Sequence, residues 1–242
     1  MVNKIIVFGA TGGIGSATAL RLNERGYKLH LVGRDQNKLE ALSKELDASY
    51  TIGDVTDEAL FAQVADDAGD VVSGLVYAVG TLNLKRLNRL TVEDYLQDYR
   101  INAIGAALAI QHLLPVLKKS PEPASVVLFT SVAAEQGFSS HASMSMAKGA
   151  VRGLTLALAA ELAPKIRVNA ISPSLTNTPL AAGLLANEKM ADAIGKMHPI
   201  ERLGTPEDMA AMAAFLISPD SSWITGHIFG IDGGRSTLRT KS

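Results

Sequence analysis

Short runs of aliphatic and β-branched residues alternate along the chain with longer stretches whose apolar positions recur every three or four residues. The first pattern belongs to buried strands and the second to amphipathic helices. Their alternation predicts βαβ units joined into a parallel sheet. Strands are expected at 5–8, 29–32, 75–78, 125–130, 167–171 and 227–231, with one more short strand just before Asp54. Helices are expected at 13–25, 36–46, 91–117 and 144–162. The stretch 101–117 is the most apolar, but Asn102, Gln111, His112 and Pro115 interrupt it, so it reads as a buried helix and not a membrane span. Pro121 and Pro123 mark a loop before the next strand, because proline cannot extend the preceding helix. No repeat, low-complexity tract or linker divides the chain. The expected architecture is α/β: a single-domain Rossmann fold over residues 1–242, a doubly wound parallel β-sheet flanked by helices.

The segment 175–206 is the least regular. Leu180, Leu184, Leu185, Met190, Ile194 and Met197 fall at roughly helical spacing. Two readings stay open: an amphipathic helix covering the core, or a mobile lid over a substrate pocket.

Composition narrows the function classes. A chain of 242 residues can bury a sizeable core, and 23 basic residues nearly balance 24 acidic ones. No net field favours nucleic acid or an anionic membrane. The cluster Lys85, Arg86 and Arg89 and the tail 239–241 read as solvated surface. Cysteine is absent, which excludes disulfides, thiolate catalysis and cysteine metal ligands, and is compatible with the cytosol, the expected compartment. Residues 1–4 lead straight into four apolar residues and a glycine loop, so no signal peptide is expected. His30, His112, His198 and His227 show no metal-ligand spacing with acidic residues, and no metal is expected.

The glycine loop between the first strand and first helix carries the clearest chemistry. Gly9 permits a tight turn, Gly13 lets the backbone approach a pyrophosphate, and Gly15 lets helix and strand pack closely. Thr11, Gly12 and Ile14 complete the loop, and the helix N-terminus offers amides and a positive dipole end to phosphates. After the second strand, where an NAD-binding chain usually places an acid for the ribose hydroxyls, stand Gly33 and Arg34. An arginine there suits a 2′-phosphate, so NADP(H) is the expected cofactor. Asp35 reads as a helix cap. Asp54 and Val55 are expected at the adenine.

With these residues the chain resembles the short-chain dehydrogenase/reductase family over nearly its whole length. The matches run in order: the Gly9–Gly15 loop, Asp54-Val55, Asn102, Ser131, Lys148, then the 167–173 segment ending in Pro173 with Thr178, and the motifs at 202–208 and 231–234. The resemblance implies a tetrad of Asn, Ser, Tyr and Lys. Tyrosine would exchange a proton with the substrate oxygen, and lysine would lower its pKa and bind the nicotinamide ribose. Serine would position the carbonyl, and asparagine would bond helix backbone and hold a relay water. Asn102, Ser131 and Lys148 occupy three of these positions. The fourth, thirteen residues after the serine and four before the lysine, is Met144. A thioether has no proton to give. Ala78 and Gly80, within Tyr77-Ala-Val-Gly80, stand where the family usually has Asn-Asn-Ala-Gly, and belong with Pro173 and Thr178 to the implied cofactor crevice. The resemblance also implies a small-molecule substrate and a homotetramer or homodimer, with pairing through the helices at 102–117 and 144–162 and through the region 229–234.

Substitutes for the tyrosine can be named. At ~100° per residue, His141, Met144 and Lys148 would share one helix face if the helix reached back to 141. A Tyr-x6-Lys spacing resembles the enoyl-acyl-carrier-protein reductase branch, and here its tyrosine position is His141. Tyr77, at a strand end, is a second candidate, against the plainer reading of a half-buried strand tyrosine bonded through its hydroxyl. Two functions therefore stay open. One is an NADP(H)-dependent oxidoreductase with its proton from His141 or a relayed water. The other is a non-catalytic NADP(H)-binding protein: a redox sensor, a partner-binding subunit, or a structural partner in a hetero-oligomer with an active homologue.

Overall fold

In the computed structural model, which describes residues 4–239, seven parallel strands lie in the order β3-β2-β1-β4-β5-β6-β7. They are β1 (Lys4–Phe8), β2 (Lys28–Gly33), β3 (Ser49–Ile52), β4 (Gly74–Tyr77), β5 (Ala124–Phe129), β6 (Ile166–Pro173) and β7 (Ile228–Ile231). The strands expected from the sequence all form, each within two residues of its expected bounds. Residues 240–241 of the basic tail lie outside the described residues. The strand order reverses between β1 and β4, and in an open α/β sheet the crevice beyond the carboxyl ends at such a switch point is where ligands bind.

Side chains alternate across the sheet. Ile6, Phe8, Leu75, Leu128 and Val168 face one helical layer, and Ile5, Val7, Val76, Val127 and Ile171 face the other. The first layer holds α3 (Ala59–Ala68), α4 (Val92–Tyr99), α5 (Gly105–Lys118) and α6 (Ala142–Leu162); the second holds α1 (Gly13–Glu24), α2 (Gln36–Leu46) and α9 (Pro206–Ile217). Helices on both faces explain why the strands read as nearly unbroken apolar runs. Two of these helices, α3 and α9, are missing from the sequence reading. The start of α9 is nevertheless legible: Thr205 and Asp208 form a capping box around Pro206.

The helix expected at 91–117 is not continuous. Between α4 and α5 the chain makes a π-helical turn, Arg100–Ile104, which breaks the i to i−4 ladder and frees carbonyl groups. Two side chains take them up. The Tyr77 hydroxyl donates to the Ile101 carbonyl at 2.8 Å, and the Asn102 amide donates to the Asp98 carbonyl at 2.8 Å. Tyr77 packs so tightly that a Cβ on Gly105 would collide with its hydroxyl. The stretch Val92–Lys118 is apolar enough to pass for a membrane span by length and composition (mean hydropathy 1.3). Its Ala106, Ile110, Leu113 and Leu117 pack into the core beneath the sheet, the role of a core helix.

One buried titratable group lies away from the crevice. His30, on β2, is fully buried, with Nδ1 2.8 Å from the Ser49 hydroxyl and Nε2 2.9 Å from Thr51 Oγ1. The Thr51 hydroxyl is itself committed as a donor to Asp67, so Nε2–H donates to Thr51 and Nδ1 accepts from Ser49. Burial pushes the His30 pKa down to about 4, against a weaker opposing pull from Asp67. The unfolded chain takes up this proton near pH 6.5 and the folded chain does not until about 4, so stability falls as pH falls through that window. Thermal melts from pH 7.5 to 4.5 should show wild type losing on the order of 3 kcal/mol more than His30→Gln. Parallel curves for the two proteins would mean that His30 is protonated in the fold.

Candidate active site

The crevice is built at the switch point. Gly9 follows β1 with φ +74°, a conformation that L side chains rarely adopt, and its amide bonds the Val32 carbonyl at 2.9 Å. A Cβ on Gly9 would lie 2.8 Å from the Ala78 carbonyl oxygen, so the loop and the end of β4 can touch only as bare backbone. A Cβ on Gly15 would collide with the Gly9 carbonyl, and one on Gly13 would lie 2.9 Å from the Thr178 methyl. Thr178, reached through Pro173 at the end of β6, thus closes over the loop as the sequence pattern implies. Gly12 caps α1 with no side-chain hydrogen bond, which leaves first-turn amides open beside Thr11 and Ile14.

On the other side of β1, Arg34 is exposed and its guanidinium sits 3.5 Å from the Asp54 carboxylate. Asp54 also accepts from the Thr56 amide and hydroxyl, and these bonds, with smaller help from Arg34, hold its pKa below the usual range. Val55 packs against the core beside them. Asp35 caps α2 as expected.

Asn102 and Lys148 converge at Gly80, and Ser131 stands two residues past Phe129, whose carbonyl takes the Lys148 ammonium. Lys148 is buried on α6 and its Nζ donates to the Phe129 carbonyl at 2.9 Å. A Cβ on Gly80 would lie 3.2 Å from that Nζ and 3.0 Å from Asn102 Oδ1, so the absence of a side chain there keeps both polar atoms reachable. Asn102 spends its amide on Asp98 and on Thr81 Oγ1, each at 2.8 Å, while its buried Oδ1 has no protein partner. Ser131 caps a 3-10 turn (Val132–Ala134), its oxygen accepting from the Ala133 amide at 3.2 Å. That bond uses a lone pair and leaves the hydroxyl proton available to a substrate oxygen. Burial lowers the Lys148 pKa to about 8, and the buried Asp98 carboxylate opposes the shift.

Met144 lies on α6, buried at 5% exposure, one turn before Lys148. Its neighbour Ser143 donates to the Asp98 carboxylate, which also accepts from Thr81 at 2.6 Å. The helix begins at Ala142, two residues earlier than expected, and His141 is its N-cap with non-helical dihedrals. The His141 ring stacks on Phe138 at 5.4 Å and its Nδ1 lies 2.7 Å from the Ser139 carbonyl. Its hydrogen bond and ring contact go to Ser139 and Phe138, not to Lys148 or Ser131, so the shared helix face expected for 141, 144 and 148 breaks at the cap. Tyr77 is not in the crevice: it is buried, committed to Ile101, and its pKa is driven far up, mainly by that burial. The plainer reading of a bonded strand tyrosine is the correct one.

The segment 175–206 folds as two short helices, α7 (Ala182–Leu185) and α8 (Glu188–Lys196). Leu180, Met190 and Met197 are 57, 45 and 55% exposed, which a core-covering helix does not explain. The segment is pinned at its far end, where buried His198 meets the Ser174 hydroxyl at 2.8 Å. Two arginines of the matched motifs are structural. Arg167 donates to the Leu216 and Ser218 carbonyls at the end of α9, and Arg202 makes a two-bond pair with Asp208.

Comparison with known proteins agrees with this geometry. The family model described as Enoyl-(Acyl carrier protein) reductase matches residues 9–236. A solved short-chain type dehydrogenase/reductase from Mycobacterium ulcerans superposes with a TM-score of 0.91 at 27% identity, covering 98% of this chain and 90% of its own. The chain belongs to the short-chain dehydrogenase/reductase family. Among its relatives, a tropinone reductase homolog from Arabidopsis thaliana is 33% identical, covering 95% of this chain and 90% of its own. A protein named inactive 2-(S)-hydroxypropyl-CoM dehydrogenase 2, from Xanthobacter autotrophicus, is 35% identical, covering 88% and 96%. The family consists of oxidoreductases using nicotinamide cofactors. The present residues fit one: an uncapped helix N-terminus, a cradle that Cβ atoms would fill, and an orphaned buried oxygen at Asn102.

Keeping Lys148 charged works against folding. The unfolded chain holds that proton up to about pH 10.5 and the folded chain only to about 8, so the site subtracts stability at neutral pH. Lys148→Met should therefore melt higher at pH 7, by on the order of 2 kcal/mol after loss of the Phe129 hydrogen bond. A lower melting temperature would mean the ammonium is better solvated than its burial implies.

Proposed function

We propose that the chain is an NADP(H)-dependent oxidoreductase that transfers hydride between the nicotinamide and a small carbonyl or alcohol substrate, with Met144 where its relatives use a tyrosine. The observation that supports this most is the under-used polarity of three side chains, Asn102 and Lys148 at Gly80 and Ser131 two residues past Phe129. The Ser131 hydroxyl has its proton free, Lys148 has ammonium protons beyond the one given to Phe129, and Asn102 Oδ1 is buried without a partner. Unpaired buried polar groups are costly, and a fold that carries them beside a reaction crevice has a use for them. When bound, the cofactor supplies the hydride and its electron pair. Gly9, Thr11, Gly12, Gly13, Ile14 and Gly15 would hold the pyrophosphate, and Lys148 the nicotinamide ribose. Ala78, Gly80, Pro173 and Thr178 would line its path. Asp54 and Val55 would stand at the adenine.

Gly33 and Arg34 support the phosphorylated cofactor. A Cβ on Gly33 would sit 3.2 Å from Thr11 Oγ1, so an acid there would crowd the loop. The Arg34 side chain is 81% exposed and free to turn to a 2′-phosphate. Arg34→Ala should weaken NADPH binding about tenfold or more and leave NADH nearly unchanged, read by nucleotide fluorescence titration. Equal loss for both nucleotides would refute the assignment.

The chain's residues handle the proton as follows. Ser131 donates to the substrate oxygen and positions it. Asn102 Oδ1 accepts from a water, and Lys148, with a pKa near 8, passes a proton through that water to the developing alkoxide and is recharged from solvent. His141, held at the helix cap, is the alternative donor, and the segment 175–206 with its exposed apolar side chains is the lid. The exposed apolar residues Leu96 on α4, and Met146 and Leu156 on α6, suit pairing with a second copy, as expected for a homotetramer or homodimer; light scattering tests this.

A specific observation favours the second reading, a non-catalytic NADP(H)-binding protein: the buried Met144 has no proton to give. NADPH oxidation at 340 nm over a panel of carbonyl compounds separates the two. Wild type should turn over, with a rate that falls above pH 8 as Lys148 loses its proton, and Met144→Tyr should raise kcat on the order of a hundredfold. His141→Asn should leave the wild-type rate within about threefold; a larger loss moves the proton to His141. Turnover by Met144→Tyr alone would assign the natural protein to binding.

A further inference from the structure

The basic cluster read from the sequence as solvated surface does not form a convex face. Lys85, Arg86 and Arg89, together with Leu84 and Ser140, line a cavity of about 450 Å³. It lies between the β4–α4 connection and the turn that enters α6. Its charge is unbalanced. Lys85 is paired with Asp94 at 2.6 Å, but among the described residues Arg86 and Arg89 have no ion-pair partner. Like charges gathered on one concave wall repel one another, and a cavity concentrates their field. The opposite wall is strained: Ser140 adopts φ +66°, a left-handed conformation unfavourable for a residue with a Cβ.

Position links the cavity to the reaction crevice. Ser140 stands two residues before Ala142, the first residue of α6, and four before Met144. The Ser143 hydroxyl reaches both the Asp98 carboxylate and the carbonyl of Asp94, the residue that holds Lys85. From Ala142, two residues after Ser140, the axis of α6 rises roughly 9 Å to Lys148, which sets the length of substrate that would join the two places.

We propose that this cavity is a subsite for an anionic group, a carboxylate or a phosphate, carried by the substrate on the side away from its reacting carbonyl. Arg86 and Arg89 pair with the anion, Leu84 contacts the adjoining carbon chain, and Ser140 offers a hydroxyl. The forked guanidinium groups suit either planar carboxylate or phosphate oxygens. The assignment rests on the oxidoreductase reading and narrows its substrate class.

Two measurements test it, one independent of turnover. In calorimetric titrations of the NADPH-saturated protein, glutarate and inorganic phosphate are the probes, and at least one should bind with an affinity that falls as salt is raised. The better probe identifies the anion. Arg86→Ala/Arg89→Ala, with Lys85 and its Asp94 partner left intact, should weaken that binding about tenfold or more, and the double lysine variant should restore part of it. In the second measurement, kcat/KM is compared for 9-oxodecanoate and its neutral methyl ester, and for 8-oxononyl phosphate and its parent alcohol, chains long enough to join the two places, with wild type and Met144→Tyr. The anionic member of at least one pair should win about tenfold, and the double alanine variant should erase that advantage while sparing the neutral ketone. Probe binding that is absent, or unchanged by the arginine substitutions, overturns the subsite. Arginine-dependent probe binding without turnover of any ketone supports the subsite and counts against the oxidoreductase reading alone.

Discussion

Desolvation of one ammonium group, that of Lys148, is the constraint around which the crevice is arranged. A buried cation needs either paired charges or fixed dipoles, and this fold supplies few of each. Nζ has the Phe129 carbonyl at the end of β5, and a more distant attraction from Asp98. Gly80 must lack a side chain so that the ammonium can also meet something from the crevice. The cost is visible in a lysine pKa drawn down to about 8, where a proton can leave and return near neutral pH.

Asp98 extends the same arrangement. Its carboxylate is buried and takes donors from Thr81, Ser143 and Asn83. These bonds tie the β4–α4 connection to the first turn of α6, and the backbone carbonyl of Asp98 anchors the Asn102 amide. The π turn is what aims Asn102 inward, and it persists because the Tyr77 hydroxyl fills the gap it leaves at Ile101. A tyrosine at a strand end therefore serves the site by holding a helix open, with its own proton unavailable.

Much of this was legible in the residues taken in order. The alternating runs locate the strands, and the glycine loop predicts contact between bare backbones, because only hydrogen fits where Gly9 meets Ala78 and Gly15 meets Gly9. Asn102, Ser131 and Lys148 were named from the family resemblance; Asn102 and Lys148 both border Gly80, and Ser131 stands two residues past Phe129, whose carbonyl takes the Lys148 ammonium. Helix α9 was missed although the Thr205–Asp208 capping box announces it, since its mostly apolar composition hides a helical period. The helix-face argument for His141 depended on where α6 begins. The shared face required the helix to reach 141, and it starts one residue later, at Ala142.

The sequence by itself determined the order of elements, the phosphate-binding turn and the identity of the residues available for proton chemistry. Those follow from local sterics, apolar periodicity and side-chain functional groups, which travel with each residue. Only the tertiary structure decided which polar groups lose water and which keep partners. Tyr77 is spent on a freed carbonyl, Asn102 Oδ1 is left orphaned, and Arg86 and Arg89 gather on one concave wall. Such outcomes depend on distances between segments far apart in the chain, where burial and electrostatic coupling are set by packing.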